Sequence, residues 1–548
     1  MNAPGEHNGK AEEKEKEKER VHLDTILKEI GEFGSFQRRA LGLALLVALL
    51  SGYSANEYVF TAARITTRCL IPECESSGDP NWLTIAIPQD GGFLDNCNRF
   101  NSTLQGNTTC SADHFDRDVI MPCEEYVYEN TDTVVYEFNL ACQEWRRSII
   151  GSASMFGMML ALPLTGFISD RYGRRFALAL NAFNHSWLGL ARYWTQSYES
   201  FIAFEFLEAL FGAAGFTCAY IIAMEFVGPK YRVLAGATTS TFFTIGLIMQ
   251  ALMAWAVPYW RHLTLALYIP QLITITYFFI MPESVRWYLS KGRYTEAEAQ
   301  LKKAAKINKK TLSEESLRSL KQSSEEERMM SLEKKKEPWL ISLVFQHKPI
   351  LLRCIIAPVW WITTVLIYYG LSMNAVNMSG NKYLNYIAVG AMEIPGSWTA
   401  VLLFDRIGRK PLFVCAFWLC AACQIGFIFM PDGFYGVSLA VYLIGKYSIS
   451  IVVTSLYIFT NELFPTRHRS SLFAFSSMVG RVGSITAALT PALASMVWEQ
   501  LPFVLFGSLA ALSGCLVLLA PETKGTTLPD TMEEASRLGS KKQSTPNS

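Results

Sequence analysis

Ser169-Asp170-Arg171-Tyr172-Gly173-Arg174-Arg175 closes one apolar run and opens the next, and the chain returns to it at Asp405-Arg406-Ile407-Gly408-Arg409-Lys410. Two further pairs keep the register. Glu225 and Arg232 answer to Glu462 and Arg469, and Pro282-Glu283 answers to Pro521-Glu522. The offsets are 235, 237 and 239 residues. Chance readily produces one such match, but not three in register at the same kind of helix end, so the chain reads as a duplicated half. Parallel duplicated halves are one way in which membrane transporters are built, with the cargo site between the halves near the bilayer midplane.

Half of the 548 residues are apolar, and the mean hydropathy is +0.19, which suits a helical membrane bundle carrying large loops. A net charge of +1 argues against a nucleic-acid surface. The opening tract, Lys10 to Arg20, alternates in sign with almost no apolar residue and reads as a solvated tail. No cleavable signal peptide is expected, because the first apolar run is long enough to span.

Apolar runs of about 20 residues predict twelve spanning helices: 41–61, 147–168, 176–195, 201–225, 233–257, 262–281, 351–370, 384–404, 412–430, 436–459, 470–495 and 501–520. Helices are required because hydrocarbon offers no partner to a free N–H or C=O. The expected class is therefore an all-α membrane protein of two six-helix halves. Its parts are a cytoplasmic tail at 1–40, a first half at 41–281, a central cytoplasmic loop at 282–350, a second half at 351–520 and a tail at 521–548. With an even span count, Arg38-Arg39, Arg171/Arg174/Arg175, Arg406/Arg409/Lys410 and Arg467/Arg469 all share one side, which the positive-inside rule makes the cytoplasm. Both termini then lie inside.

The large loop 62–146, between the first and second helices, falls outside. It carries sequons at Asn101 and Asn107, and six of the twelve cysteines: Cys69, Cys74, Cys97, Cys110, Cys123 and Cys142. An even number in an oxidising compartment predicts disulfides, with every connectivity open. Thr295/Glu298 and Thr311/Glu314 in the central loop have capping-box spacing.

Charges inside spans are informative because each costs roughly 2.5–3.5 kcal/mol at a helix centre. Glu393, Lys446 and Arg481 lie near expected midpoints, and polar residues recur at helical spacing around the two bases, at Ser450 and Thr454 and at Ser477 and Ser484. They are expected to face a wet cavity, the alternative being an ion pair between Glu393 and one base. Glu205 and Glu208 on the fourth span suggest a vestibule for cations. Phe216 and Tyr220, Trp361 and Tyr368, and Phe243 offer aromatic faces, which attract protonated or quaternary amines by cation–π contact. Without a P-loop, nucleotide motif or metal cluster, neither an enzyme nor a cofactor is expected.

The doubled D-R-x-G-R-[RK] loop resembles that of the major facilitator superfamily. Gly31–Arg39 (GEFGSFQRR), Pro282–Gly292 (PESVRWYLSKG), Tyr368–Leu384 (YYGLSMNAVNMSGNKYL), Asn461–Arg469 (NELFPTRHR) and Pro521–Gly525 (PETKG) are similar to its organic cation, carnitine and organic anion transporter family. The resemblance implies gating at the cytoplasmic helix ends by Asp170, Arg171, Arg174, Glu225 and Arg232, and by Asp405, Arg406, Arg409, Glu462 and Arg469. It raises Trp361, Tyr368 and Arg481 as cavity residues. Polyspecific cation carriers of this kind have Asp where this chain has Arg481, whereas carnitine and anion carriers have Arg in such an Arg-Val-Gly-Ser setting. Glu393, in Met-Glu-Ile-Pro-Gly, resembles the cation and carnitine branches. A small organic cation or zwitterion crossing the plasma membrane by alternating access is the resulting expectation. An organic anion carrier and a non-transporting sensor are the rivals, and a coupling ion, Na or H, stays open.

Overall fold

A computed structural model describes residues 23–72, 74–75, 82–90, 93–95, 97–102, 112–333, 340–431, 434–466, 468–526, 529 and 531–538. Most of each expected apolar run is helical, with residues such as 55–57, 429–430 and 518–520 outside helix. Among the described residues, ten helical stretches are long and apolar enough to cross a bilayer: α1 (Ser35–Thr61), α2 (Glu144–Tyr172), α4 (Tyr198–Phe226), α5 (Pro229–Ala256), α6 (Trp260–Ile280), α7 (Lys348–Asn377), α8 (Lys382–Phe404), α9 (Arg409–Ile428), α10 (Tyr435–Leu463) and α11 (Arg469–Met496). The other two are α3 (Arg174–Ala191) and α12 (Leu501–Val517). At 18 and 17 residues they are close to the shortest lengths that reach across about 30 Å of hydrocarbon. α3 also carries Arg174, Arg175, Asn181, Asn184 and His185.

The duplication has a physical expression at two helix starts. Gly173 and Gly408 take φ of +110° and +111°, a backbone that side chains other than glycine's rarely adopt. Each turn aims the first N–H groups of the next helix at a carboxylate from the far end of the same half. Glu283 accepts from the amides of Arg174 (2.8 Å) and Arg175 (3.1 Å), and Glu522 from those of Arg409 (3.1 Å) and Lys410 (3.0 Å). A carboxylate there satisfies orphan donors and meets the positive end of the helix dipole. The repeated Pro-Glu pairs are thus helix caps delivered across each half.

Within the first half α1 packs on α5, where Gly52 and Gly246 let the backbones touch: a Cβ on Gly52 would collide with the carbonyl of Phe243. Between halves α2 lies on α11 and α5 on α8. At the end of the bundle next to 62–146, Phe60 of α1 meets Tyr383 and Tyr386 of α8 at 5.8 and 5.0 Å between ring centroids, and Trp255 of α5 stacks on Tyr383. Tyr58 donates to Met373 Sδ across the same seam (3.6 Å). The halves are therefore in contact at that end.

Among the described residues of 62–146 lie three two-stranded antiparallel sheets, pairing Thr67–Cys69 with Tyr126–Tyr128, Gln89–Asp90 with Phe93–Leu94, and Asn98–Ser102 with Phe115–Pro122. Disulfides join Cys69 to Cys123 and Cys97 to Cys142. Cys74 is also disulfide-bonded, while Cys110 and the Asn107 sequon lie outside the described residues. Asn101 sits in a strand. The expected capping boxes do not form: Tyr294–Asn308 begins after Arg293 with no side-chain cap, and the next helix begins at Glu314, where Ser313 accepts the amide of Glu315.

Candidate functional site

A cavity of about 400 Å³ lies between the halves, walled by α1 to α6 on one side and α7, α8, α10 and α11 on the other. Seven of the eight residues expected to bind cargo reach its wall: Phe216, Tyr220, Phe243, Trp361, Tyr368, Glu393 and Arg481. Phe216 packs on Phe243 at 4.8 Å and on Tyr220 at 6.2 Å. Trp361 is almost wholly buried, held by Thr460 through its indole N–H (3.3 Å) and by the rings of Tyr457 and Phe473.

Lys446 departs from expectation. It is 0% exposed and does not line the cavity. Its ammonium pairs with Glu393 Oε1 (2.8 Å), donates to Ser372 Oγ (2.8 Å) and the Tyr368 carbonyl (3.1 Å), and lies 3.7 Å from the Tyr368 ring centroid. The other Glu393 oxygen accepts from Tyr368 Oη (2.8 Å) and from Thr244 across the interface (3.2 Å). Of the two arrangements open from sequence, the ion pair is the one formed, with Lys446 as the base. A buried charge with one partner removed costs several kcal/mol, and pairing avoids that cost.

Of the charged second-half residues that line the cavity, Glu393 is paired and Arg481 has no carboxylate partner among the described residues. It reaches the sulfur of Met158 on α2 at 4.0 Å, Nε has no hydrogen-bond partner, and among the described residues no carboxylate lies within ion-pair distance. Such a guanidinium on a cavity wall suits an incoming carboxylate.

The first half contributes a cluster that sequence reasoning caught only in part. Arg192, just after α3, is buried among three carboxylates: Glu57 (2.9 Å), Glu205, in direct contact, and Glu208 (3.9 Å). Tyr268 touches the same guanidinium, and Thr264 donates to Glu57. His185 Nδ1 touches Glu208, and its Nε2 lies 2.6 Å from Ser54 Oγ. Every one of these charged groups lines the cavity. Glu205 and Glu208 were singled out as a vestibule. Arg192, His185 and Glu57 were not, although an ionisable residue inside an apolar run is a visible signal.

The gating candidates form networks within each half. Arg174 pairs with Asp170 (2.6 Å) and Glu225 (3.5 Å), and Arg409 with Glu462 (3.2 Å), which also accepts from Thr523. Arg171 lies over the ring of Tyr172, the Arg406 carbonyl accepts from Lys524, and Arg469 donates to Thr466. The side chain of Asp405 lies outside the described residues. Arg232 binds Asp24 of the short helix Leu23–Glu29, a carboxylate that also takes Arg286.

The family model described as "Sugar (and other) transporter" matches residues 100–535. An organic cation transporter protein of Drosophila melanogaster is 30% identical over 94% of this chain and 95% of its own. The chain belongs to the organic cation, carnitine and organic anion transporter family of the major facilitator superfamily. Solute carrier family 22 members 2 and 3 of Rattus norvegicus are 30% and 28% identical, over 94% of this chain and 95% and 96% of theirs. Among solved structures, the partially occluded inward-open xylose transporter XylE of E. coli covers 90% of this chain and 100% of its own at a TM-score of 0.60 and 16% identity, a likeness of fold. This member of the family is thus a multi-pass membrane transporter and not an enzyme.

Proposed function

We propose that this transporter carries small zwitterions and organic cations across the plasma membrane, through a twelve-helix bundle with both termini in the cytoplasm and the glycosylated, disulfide-bonded segment 62–146 outside. Transport proceeds by alternating access, the halves rocking about the cargo. Contacts between halves at the end near 62–146, with the gate ion pairs kept within each half at the other, suit a state closed outside. The observation that carries the substrate reading is the charge layout of the cavity: Arg481 free of any described carboxylate on one side, aromatic rings and the acidic cluster around Arg192 on the other. A zwitterion sets its carboxylate on Arg481 and its ammonium against Phe216, Tyr220, Phe243, Tyr368 and the acidic wall.

Glu393 acts here as the structural partner of Lys446 and polarises Tyr368, so it meets the cargo through that hydroxyl. The same neutralisation favours one second reading, an organic anion held by Arg481. Uptake of radiolabelled carnitine, a quaternary amine and an aromatic carboxylate, each alone in cells expressing the protein, tests both. Carnitine and amine uptake supports the proposal, carboxylate uptake alone supports the anion reading, and no uptake of any defeats both.

A further inference from the structure

The acidic cluster of the first half holds more than an ion pair requires. Glu57, Glu205 and Glu208 face one guanidinium, that of Arg192, so carboxyl groups outnumber the arginine three to one. Such an excess inside a bundle is costly and marks a site that takes a positive charge. Arg192 occupies the centre, which leaves the imidazole edge as the place for that charge.

Hydrogen bonding at His185 shows how one proton fits. Ser54 Oγ has one hydrogen and three neighbours: it accepts from Gln271 Nε2 (2.8 Å), lies 3.3 Å from the Leu50 carbonyl and 2.6 Å from His185 Nε2. When the serine hydrogen goes to Leu50, the short contact to Nε2 requires a hydrogen on that nitrogen. Nδ1 faces Glu208, an ionised carboxylate that has none to give. Both nitrogens then carry hydrogen and His185 is an imidazolium. When the serine turns its hydrogen onto Nε2, the imidazole is neutral with its hydrogen on Nδ1. The two patterns differ by one proton and a hydroxyl rotation.

The groups facing His185 are Glu208 and Glu205 of α4, Glu57 and Ser54 of α1, Tyr268 and Gln271 of α6, and Arg192 after its own helix. α4 comes close enough at Gly212 that a Cβ there would meet the His185 backbone at 2.5 Å, so the ring and Glu208 are held together by packing. His185 and Glu208 both line the cargo cavity, which gives the proton a path to water.

We propose that His185, paired with Glu208, is a proton-binding site in the cavity wall, and that its proton competes with the cargo's ammonium, so that an organic cation moves in exchange for a proton. The inference rests on the transport reading above. Protonation lowers the negative charge that the cavity offers a cation, and by linkage a bound cation lowers the affinity for the proton.

Purified full-length protein in liposomes, with membrane potential clamped, is tested with labelled tetraethylammonium and carnitine. With the interior one pH unit more acid than the exterior, wild type is expected to accumulate a probe by about tenfold, and His185→Gln to lose that accumulation. Wild type that equilibrates a probe without accumulating it, accumulation driven by the opposite gradient, or a His185→Gln response equal to wild type overturns the proposal. Should His185→Gln yield no folded protein, Glu208→Gln carries the same outcomes.

If neither probe crosses at any gradient, the transport reading fails and the proton site is judged on the protein alone. The difference in unfolding temperature between wild type and variant must then change between about pH 5 and 8, as linkage requires of a titrating site. Parallel curves overturn it.

Discussion

Glu393 Oε1 and Lys446 Nζ stand 2.8 Å apart with both side chains buried. The pair neutralises two of the three charges expected to face the cavity from the second half and leaves Arg481. Glu393→Gln is therefore expected to strand a buried ammonium, at a cost of about 3–5 kcal/mol, and to lower surface protein and the uptake of every substrate alike. Glu393→Gln with Lys446→Met is expected to recover much of the surface level. Surface biotinylation of the single and double variants checks this, and a double variant no better expressed than the single one contradicts the pairing.

Arg481→Ala is expected to act selectively. Loss of a charge-assisted hydrogen bond, worth roughly 1.5–3 kcal/mol, raises the KM for carnitine by about tenfold or more, while a carboxylate-free quaternary amine keeps its KM. Equal losses for both, normalised to surface protein, would remove Arg481 from the binding role.

The two cross-half caps are expected to behave as equivalents. Glu283→Ala and Glu522→Ala each unseat a carboxylate from two backbone amides, and lost caps of this kind cost about 0.5–2 kcal/mol. Both variants should unfold at lower temperature, whereas Asp170→Asn, at an exposed side chain, should melt like wild type and slow transport. An Asp170→Asn variant with a normal rate would end its gating role.

Asp24 makes the docking of Leu23–Glu29 sensitive to acid. Burial raises its carboxyl's pKa, but Arg232 and Arg286 outweigh this and hold it below the usual carboxylate range. A carboxylate with a lowered folded pKa contributes stability that is present above its unfolded pKa and is lost as pH falls through the folded one. Hydrogen exchange of residues 23–29 is expected to be slow at neutral pH and to quicken below about pH 4. In Asp24→Asn it should be fast at both. Identical protection in wild type and variant would show that the ion pairs do not hold this helix.

Non-reducing mass spectrometry should recover peptides joined through Cys69 and Cys123 and through Cys97 and Cys142, with Cys218, Cys420 and Cys423 as thiols. Different partners for Cys69 or Cys97 would overturn this pairing.

Much of the architecture was legible in sequence because it rests on local rules. A run of about 20 apolar residues must be helical in hydrocarbon, Gly173 and Gly408 mark turns that need positive φ, and a motif repeated at a fixed offset shows the duplication without coordinates. The identity of most cavity residues was legible for the same reason, since a charge or an aromatic pair at helical spacing stands out on an apolar helix. Which charges meet depends on distances between helices far apart in the chain, and helical period carries no information about them. Lys446 rather than Arg481 neutralises Glu393, Asp24 takes Arg232, and Arg192 gathers Glu57, Glu205 and Glu208 from two other helices. An ion pair forms where packing brings two side chains within a few ångströms, and only the tertiary structure decides that.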